Sequence, residues 1–271
     1  MTEFQFFQID AFAERAMAGG PAGVMPAAVF PDAAVMQAIA AENNLAETAF
    51  IVAKSGGVWD LRWFTPTMEV PLCGHATLAS AHAIYSHLGY DGAEIGFDTL
   101  SGRLTVKRLN DGRLEMDFPA RKTVLIETPA GLVEALGAAP KEVWSSAYLL
   151  AIFDTPDQVR ALKPDLERVN TISSGVTGDR GNLICAAPGA AEGYDVVSRF
   201  FAPGSGIPED PATGSAHCII APHFSALLNK PELRCFQAYP GRGADITTRI
   251  AGDRVKLIGR ARTVIEGVFR L

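Results

Sequence analysis

The feature that most constrains this chain is an echo between its two halves. Arg62-Trp63-Phe64-Thr65-Pro66 returns later as Arg199-Phe200-Phe201-Ala202-Pro203. Each copy reads as the end of a strand, a proline, a short loop, a cluster of small residues and a helix. Cys73-Gly74-His75-Ala76 opens one helix and Thr213-Gly214-Ser215-Ala216 opens the other. The loop from proline to glycine is three residues longer in the second copy. A strand–loop–helix unit that recurs once across the chain predicts duplicated domains facing each other, and its period is too long for a solenoid.

A length of 271 residues suits two ordinary domains. Hydrophobic residues make up 48% and charged ones 20%, an ordinary globular balance that can bury a sizeable core. The net charge is −6 with Lys and Arg scattered, so no nucleic-acid partner is expected. Four cysteines without a CxxC pair or framework spacing predict free thiols and a reducing, cytoplasmic setting. The start, MTEFQFFQIDAF, lacks the basic region of a signal peptide, and no long apolar run predicts a membrane span.

Alternation and turn signals predict strands over Phe4–Phe12, Thr48–Val52, Trp59–Phe64, Glu94–Thr99, Arg103–Leu109 and Arg113–Phe118. Asp32 is placed as the cap of a helix ending near Asn43, with Asn44 as a left-handed stop. Ala76–His87 reads as a second helix, closed by Gly89. The later half predicts a helix over Gly131–Leu136, one strand over Ser146–Phe153 and a helix after Pro156. Thr213–Leu228 reads as helical, with Pro222 predicting a kink or an early end. Strands follow over Ala244–Ala251, Arg254–Gly259 and Thr263–Leu271. The expected class is α+β, with two similar domains over 1–118 and 119–261; the last strand, 262–271, is a candidate to complete the first.

A helix start leaves backbone N–H groups without intrahelical partners and carries partial positive charge. Gly74 and Gly214 let a carboxylate approach such N–H groups closely. Two such entrances facing one cleft would suit a small acid. The plainer reading is that Asp210 or Thr213 is a cap and that the glycines ease a turn. His75, Glu47 and Asp210 are candidates for proton chemistry, each with a structural alternative. Metal sets drawn from Cys73, His75 and His82, or from His217, Cys218 and His223, lack zinc spacing, so no metal is expected.

These blocks are together specific. Ile9-Asp10-Ala11-Phe12, Asn44-Leu45-Ala46-Glu47-Thr48-Ala49-Phe50, Pro71-Leu72-Cys73-Gly74-His75-Ala76-Thr77-Leu78-Ala79, Ser101-Gly102 and Glu209-Asp210-Pro211-Ala212-Thr213-Gly214-Ser215-Ala216-His217 occur in that order. The chain resembles, nearly end to end, the phenazine-biosynthesis-like (PhzF-like) family of the diaminopimelate epimerase fold superfamily. The resemblance implies two domains, each a curled mixed sheet around a central helix, with the site in the cleft between them. It also implies a homodimer and a cofactor-free isomerase like the family's best-understood member, which acts on a dihydro-hydroxyanthranilate. Carried over, Glu47 becomes the acid/base, and His75, Asp210 and Ser215 its helpers. Cys73, Gly74, Thr213 and Gly214 become the substrate contacts.

Two departures bear on function. Gly20 stands where the family usually has Asn. The superfamily's racemases use a thiol at each entrance, whereas here Cys73 is matched by Thr213, whose hydroxyl is too weak an acid to replace a thiol. Cys73 reads as a packing residue or as a proton donor. The alternatives to an isomerase are a non-catalytic binder of small acids and, after it, a thiol-dependent racemase.

Overall fold

The computed structural model describes residues 2–271. The chain divides into two compact units: one runs to Asp117 and takes in Ile258–Leu271, and the other is Phe118–Leu257. Among the described residues no helix is long and apolar enough to cross a membrane.

In the first unit, strand Glu3–Ala11 lies antiparallel between Gly20–Ala27 and the C-terminal strand Ala261–Arg270. Gly20–Ala27 runs parallel to Glu47–Ala53, which pairs antiparallel with Val58–Phe64. Glu94–Thr99 joins in parallel, and Gly102–Arg108 and Leu114–Pro119 follow antiparallel. The helix Gly74–Ser86 packs against strands of this sheet, and nine of its 13 residues are buried. Burial on most sides explains its alanines, since a helix lining a sheet wall needs small residues all round. Its buried hydroxyls return to the helix backbone: Thr77 Oγ1 donates to Cys73 O at 2.5 Å and Ser80 Oγ to Ala76 O at 2.7 Å.

The second unit repeats the scheme. Leu149–Ile152 is parallel to Leu183–Pro188, which pairs antiparallel with Val196–Phe201. Glu232–Gln237 joins in parallel and Ala244–Ala251 antiparallel. The helix Gly214–Leu228 packs against the last two of these strands and buries eight of its 15 residues.

Three sequence expectations need correction. Ser146–Phe153 is not one strand: Glu142–Ser145 and Leu149–Ile152 form a hairpin, with Ser146 N donating to Tyr148 O across the turn. A helix over Leu166–Thr177 has no counterpart in the sequence reading, although Asp165 caps Arg168 N and Gly178 stops it at φ 68°. The early end offered for Pro222 does not occur, and its helix runs on to Leu228. Its missing N–H leaves Cys218 O without a helical donor, and Arg121 N supplies one from outside at 2.9 Å.

The echo has a physical basis. Arg62 holds Glu69 through Nε and Nη2 at 2.7 Å each, and Arg199 holds Glu209 through the same atoms at 2.8 and 2.7 Å. Each guanidinium also lies over the Phe two residues on, Phe64 at 5.3 Å and Phe201 at 4.6 Å. Both forks therefore clamp the loop that carries the chain from strand to central helix. Arg199 does more, since its Nη1 also donates to Arg160 O at 3.1 Å and Leu162 O at 2.7 Å, closing the helix Pro156–Ala161.

The two forks differ in exposure, with side chains 8% and 10% exposed for Arg199–Glu209 against 27% and 25% for Arg62–Glu69. Stranding a buried charge costs about 3–5 kcal/mol, while an exposed pair contributes about 1 kcal/mol or less. Arg199→Met is therefore expected to lower unfolding stability by about 3–5 kcal/mol. Arg62→Met should cost clearly less in the same denaturant titration, and equal losses would contradict this account.

Candidate active site

In the first unit, three sequence elements converge on one point. Asn44 ends the helix Ala33–Asn43 in the left-handed region at φ 49°, as expected for a residue that tolerates it. Asn43 Nδ2 donates to Thr48 Oγ1 at 3.1 Å, fixing the turn. Glu47 is thereby delivered as the first residue of its strand. Asp32 precedes this helix without a side-chain capping bond, so its expected capping role fails.

His75 sits in the first turn of Gly74–Ser86, and its Nε2 lies 2.8 Å from Glu47 Oε2. Neither atom has an aligned hydrogen-bond partner among the described residues, so the contact is chiefly one of charge. On the opposite edge of the ring, Nδ1 lies 3.7 Å from Cys73 Sγ. His75 is 5% exposed and Glu47 17%, which leaves the carboxylate the accessible end of the pair.

Burial and attraction oppose one another here. Burial would raise the Glu47 pKa, yet the charge of His75 holds it below its ordinary value. Burial would lower the pKa of His75, yet the negative charge available at Cys73 and Glu47 raises it well above its ordinary value. The Cys73 thiol is itself pushed up to about 11 by burial and by Glu47. At neutral pH it is therefore a neutral thiol, and Glu47 is the charge that acts. Both directions favour a carboxylate at Glu47 beside a protonated His75.

The second unit gathers the other candidates. Asp210 Oδ1 accepts from Ala212 N at 3.2 Å, and Oδ2 accepts from Thr213 Oγ1 at 2.7 Å. Gln237 completes the cluster: its Oε1 accepts from Thr213 N at 2.9 Å, and its Nε2 donates to Asp210 O at 2.5 Å and to Thr213 Oγ1 at 3.1 Å. Ser215 is exposed, with its Oγ 3.3 Å from Tyr148 Oη. No side chain caps either entrance helix, although Cys73 and Thr213 occupy the cap positions. The capping role expected of Asp210 or Thr213 is thus replaced by a bond between them. Gly74 and Gly214 are the first residues of their helices, where N–H groups lack intrahelical acceptors.

Glu47, Cys73, Gly74 and His75 thus meet in the first unit, and Asp210, Thr213, Gly214 and Ser215 in the second. Gln237 and Tyr148 were missed, because strand pairing and a hairpin bring them in and no local spacing announces them.

The metal sets weighed from the sequence do not form. His75 and His82 are two helical turns apart, about 10 Å along the axis, and His82 Nε2 instead meets Thr263 Oγ1 at 3.1 Å. His217 is buried with Nδ1 at 2.8 Å from Thr213 O, and burial pushes its pKa down to about 4. Cys218, pushed up to about 12 by burial, donates to Gly214 O. Among the described residues, Glu47, Cys73 and His75 do place potential ligand atoms within 4.8 Å of one another. Within the trio, Cys73 Sγ lies nearest Nδ1 of His75 and Glu47 Oε2 lies nearest Nε2.

Two units of mixed strands, each with a buried helix whose N-terminus no side chain caps, define an α+β protein of the epimerase-like fold. That fold is shared with a hydroxyproline epimerase of Agrobacterium vitis, at a TM-score of 0.58 and 12% identity over 98% of this chain and 92% of that one. Residues 9–267 match the family model described as phenazine biosynthesis-like protein. The chain is 41% identical over 270 residues to an uncharacterized isomerase of Pseudomonas aeruginosa, covering 99% of each. A crystal structure of a PhzF-family phenazine biosynthesis protein from Enterococcus faecalis matches over 100% of both chains, with a TM-score of 0.93 and 34% identity. The chain belongs to the phenazine biosynthesis-like family.

The charge contact makes a prediction that needs no substrate. In a proton NMR titration, His75 should stay protonated well above its ordinary pKa. In Glu47→Gln, burial acts without the carboxylate that opposes it and the midpoint should fall below the wild-type value. An unchanged midpoint would show that Glu47 does not hold the proton.

Proposed function

We propose that this protein is an isomerase that moves a proton between carbons of a small carboxylic acid, using side chains and no cofactor. The observation that carries this reading is the buried Glu47–His75 contact, with the carboxylate at its exposed end. The uncharacterized isomerase that shares 41% of its residues supports it.

In this mechanism Glu47 takes a proton from a substrate carbon and becomes a neutral acid. Its charge passes to the substrate, whose carboxylate is held by N–H groups at the starts of the two helices. His75 remains the positive partner that favours this anion. The proton returns at a different carbon, from Glu47 or through His75, and the carboxylate is regenerated. Asp210 and Ser215 orient the substrate's polar groups, and one substrate bridges both entrances in a cleft between the units. Such acid–base help is worth about 10²–10⁴-fold.

A thiol pair at the entrances is the weaker reading. Thr213 Oγ1 is already committed to Asp210 and Gln237, and the Cys73 thiol is a poor acid at about 11.

The test is a screen of small 2-amino acids, 2-hydroxy acids and cyclic dienoic acids for carbon-bound deuterium uptake from heavy water. The wild-type protein should label at least one of them. Glu47→Gln should reduce that rate by about 10²–10⁴-fold, and undiminished uptake would refute the assignment. Tight acid binding with no uptake by the wild type would favour a non-catalytic binder.

A further inference from the structure

The second unit contains a groove of about 690 Å³ that holds none of the candidate active-site residues. That volume falls within the roughly 300–1,000 Å³ typical of small-ligand sites. Its floor is the later half of the helix Gly214–Leu228, from Pro222 to Leu227. Pro222 lies about 12 Å along the helix from Gly214, so the groove is well removed from that entrance.

One wall is aromatic. Trp144 and His223 meet edge to face, with ring centroids 4.8 Å apart and planes at 71°. Burial lowers the His223 pKa against the pull of Glu142, so its ring is neutral at neutral pH. These two rings make a corner that suits a flat apolar body.

The charges at the rim are unevenly engaged. Trp144 Nε1 donates to Glu142 Oε2 at 3.0 Å, and Lys141 faces Asp154 at 3.8 Å. Lys122 lines the same groove and has no ion-pair partner among the described residues. Lys122 is therefore an unpaired cation beside the aromatic wall, while Glu142 is an acid bonded by the Trp144 indole rather than by a cation.

We propose that this groove is a second ligand site, outside the isomerase centre, which takes a small planar aromatic carboxylate between the Trp144–His223 corner and Lys122. The ring lies against the aromatic wall and the carboxylate meets the lysine. This does not depend on the reaction proposed for Glu47.

The full chain is titrated with 2-naphthoate and, separately, with its neutral amide, following the Trp144 indole N–H resonance and the heat of binding. The acid should shift that resonance saturably and bind about tenfold more tightly than the amide. Lys122→Met should erase this preference, His223→Ala should weaken both ligands, and Glu47→Gln should leave both unchanged. No saturable shift, or acid binding indifferent to Lys122→Met and His223→Ala, would overturn the proposal. A change of oligomeric state in Leu227→Asp, without acid binding by the wild type, would assign the groove to a second copy of the chain and also overturn it.

Discussion

A helix buried in a sheet can meet a small ligand most readily at its end, and that constraint shapes the whole protein. Both central helices have most of their residues buried, so their interiors need small or apolar side chains. The N-terminal ends are left uncapped by side chains, which keeps their N–H groups and partial positive charge on offer. An open end must still be held still. The Arg62–Glu69 and Arg199–Glu209 forks do this by locking the loop that leads into each helix. The geometry of each entrance thus depends on an ion pair in the loop before it.

The same comparison separates neighbouring acids. Glu209 and Asp210 are adjacent, yet Glu209 is committed to Arg199 while Asp210 faces Thr213 and Ala212. In the first unit the corresponding division is between Glu69, which is structural, and Glu47, which arrives from a different strand. At Glu47 the competition is between burial, which favours a neutral acid, and the His75 charge, which favours a carboxylate. The charge prevails, and it leaves a base ready to accept a proton.

Much of this was legible in the sequence because the constraints are local. The repeated Arg-x-Phe-x-Pro stretch recurs because a fork and a cation–aromatic contact recur with it. Asn44 was readable as a stop because few residues accept its backbone conformation. Gln237 was not readable, since parallel pairing of Glu232–Gln237 with Val196–Phe201 sets its position beside Thr213. The early end offered for Pro222 failed for a similar reason: a distant donor, Arg121, satisfies the carbonyl that proline leaves empty. Local chemistry predicts what a residue tolerates, and only the tertiary fold decides which partner compensates it.

The central claim is that the resting site holds a carboxylate at Glu47 beside a protonated His75. Neutron diffraction from crystals grown in heavy water near neutral pD addresses it most directly. The account predicts deuterium on both ring nitrogens of His75 and none on the Glu47 carboxyl group. A deuterated Glu47 beside an imidazole with one bare nitrogen would contradict it.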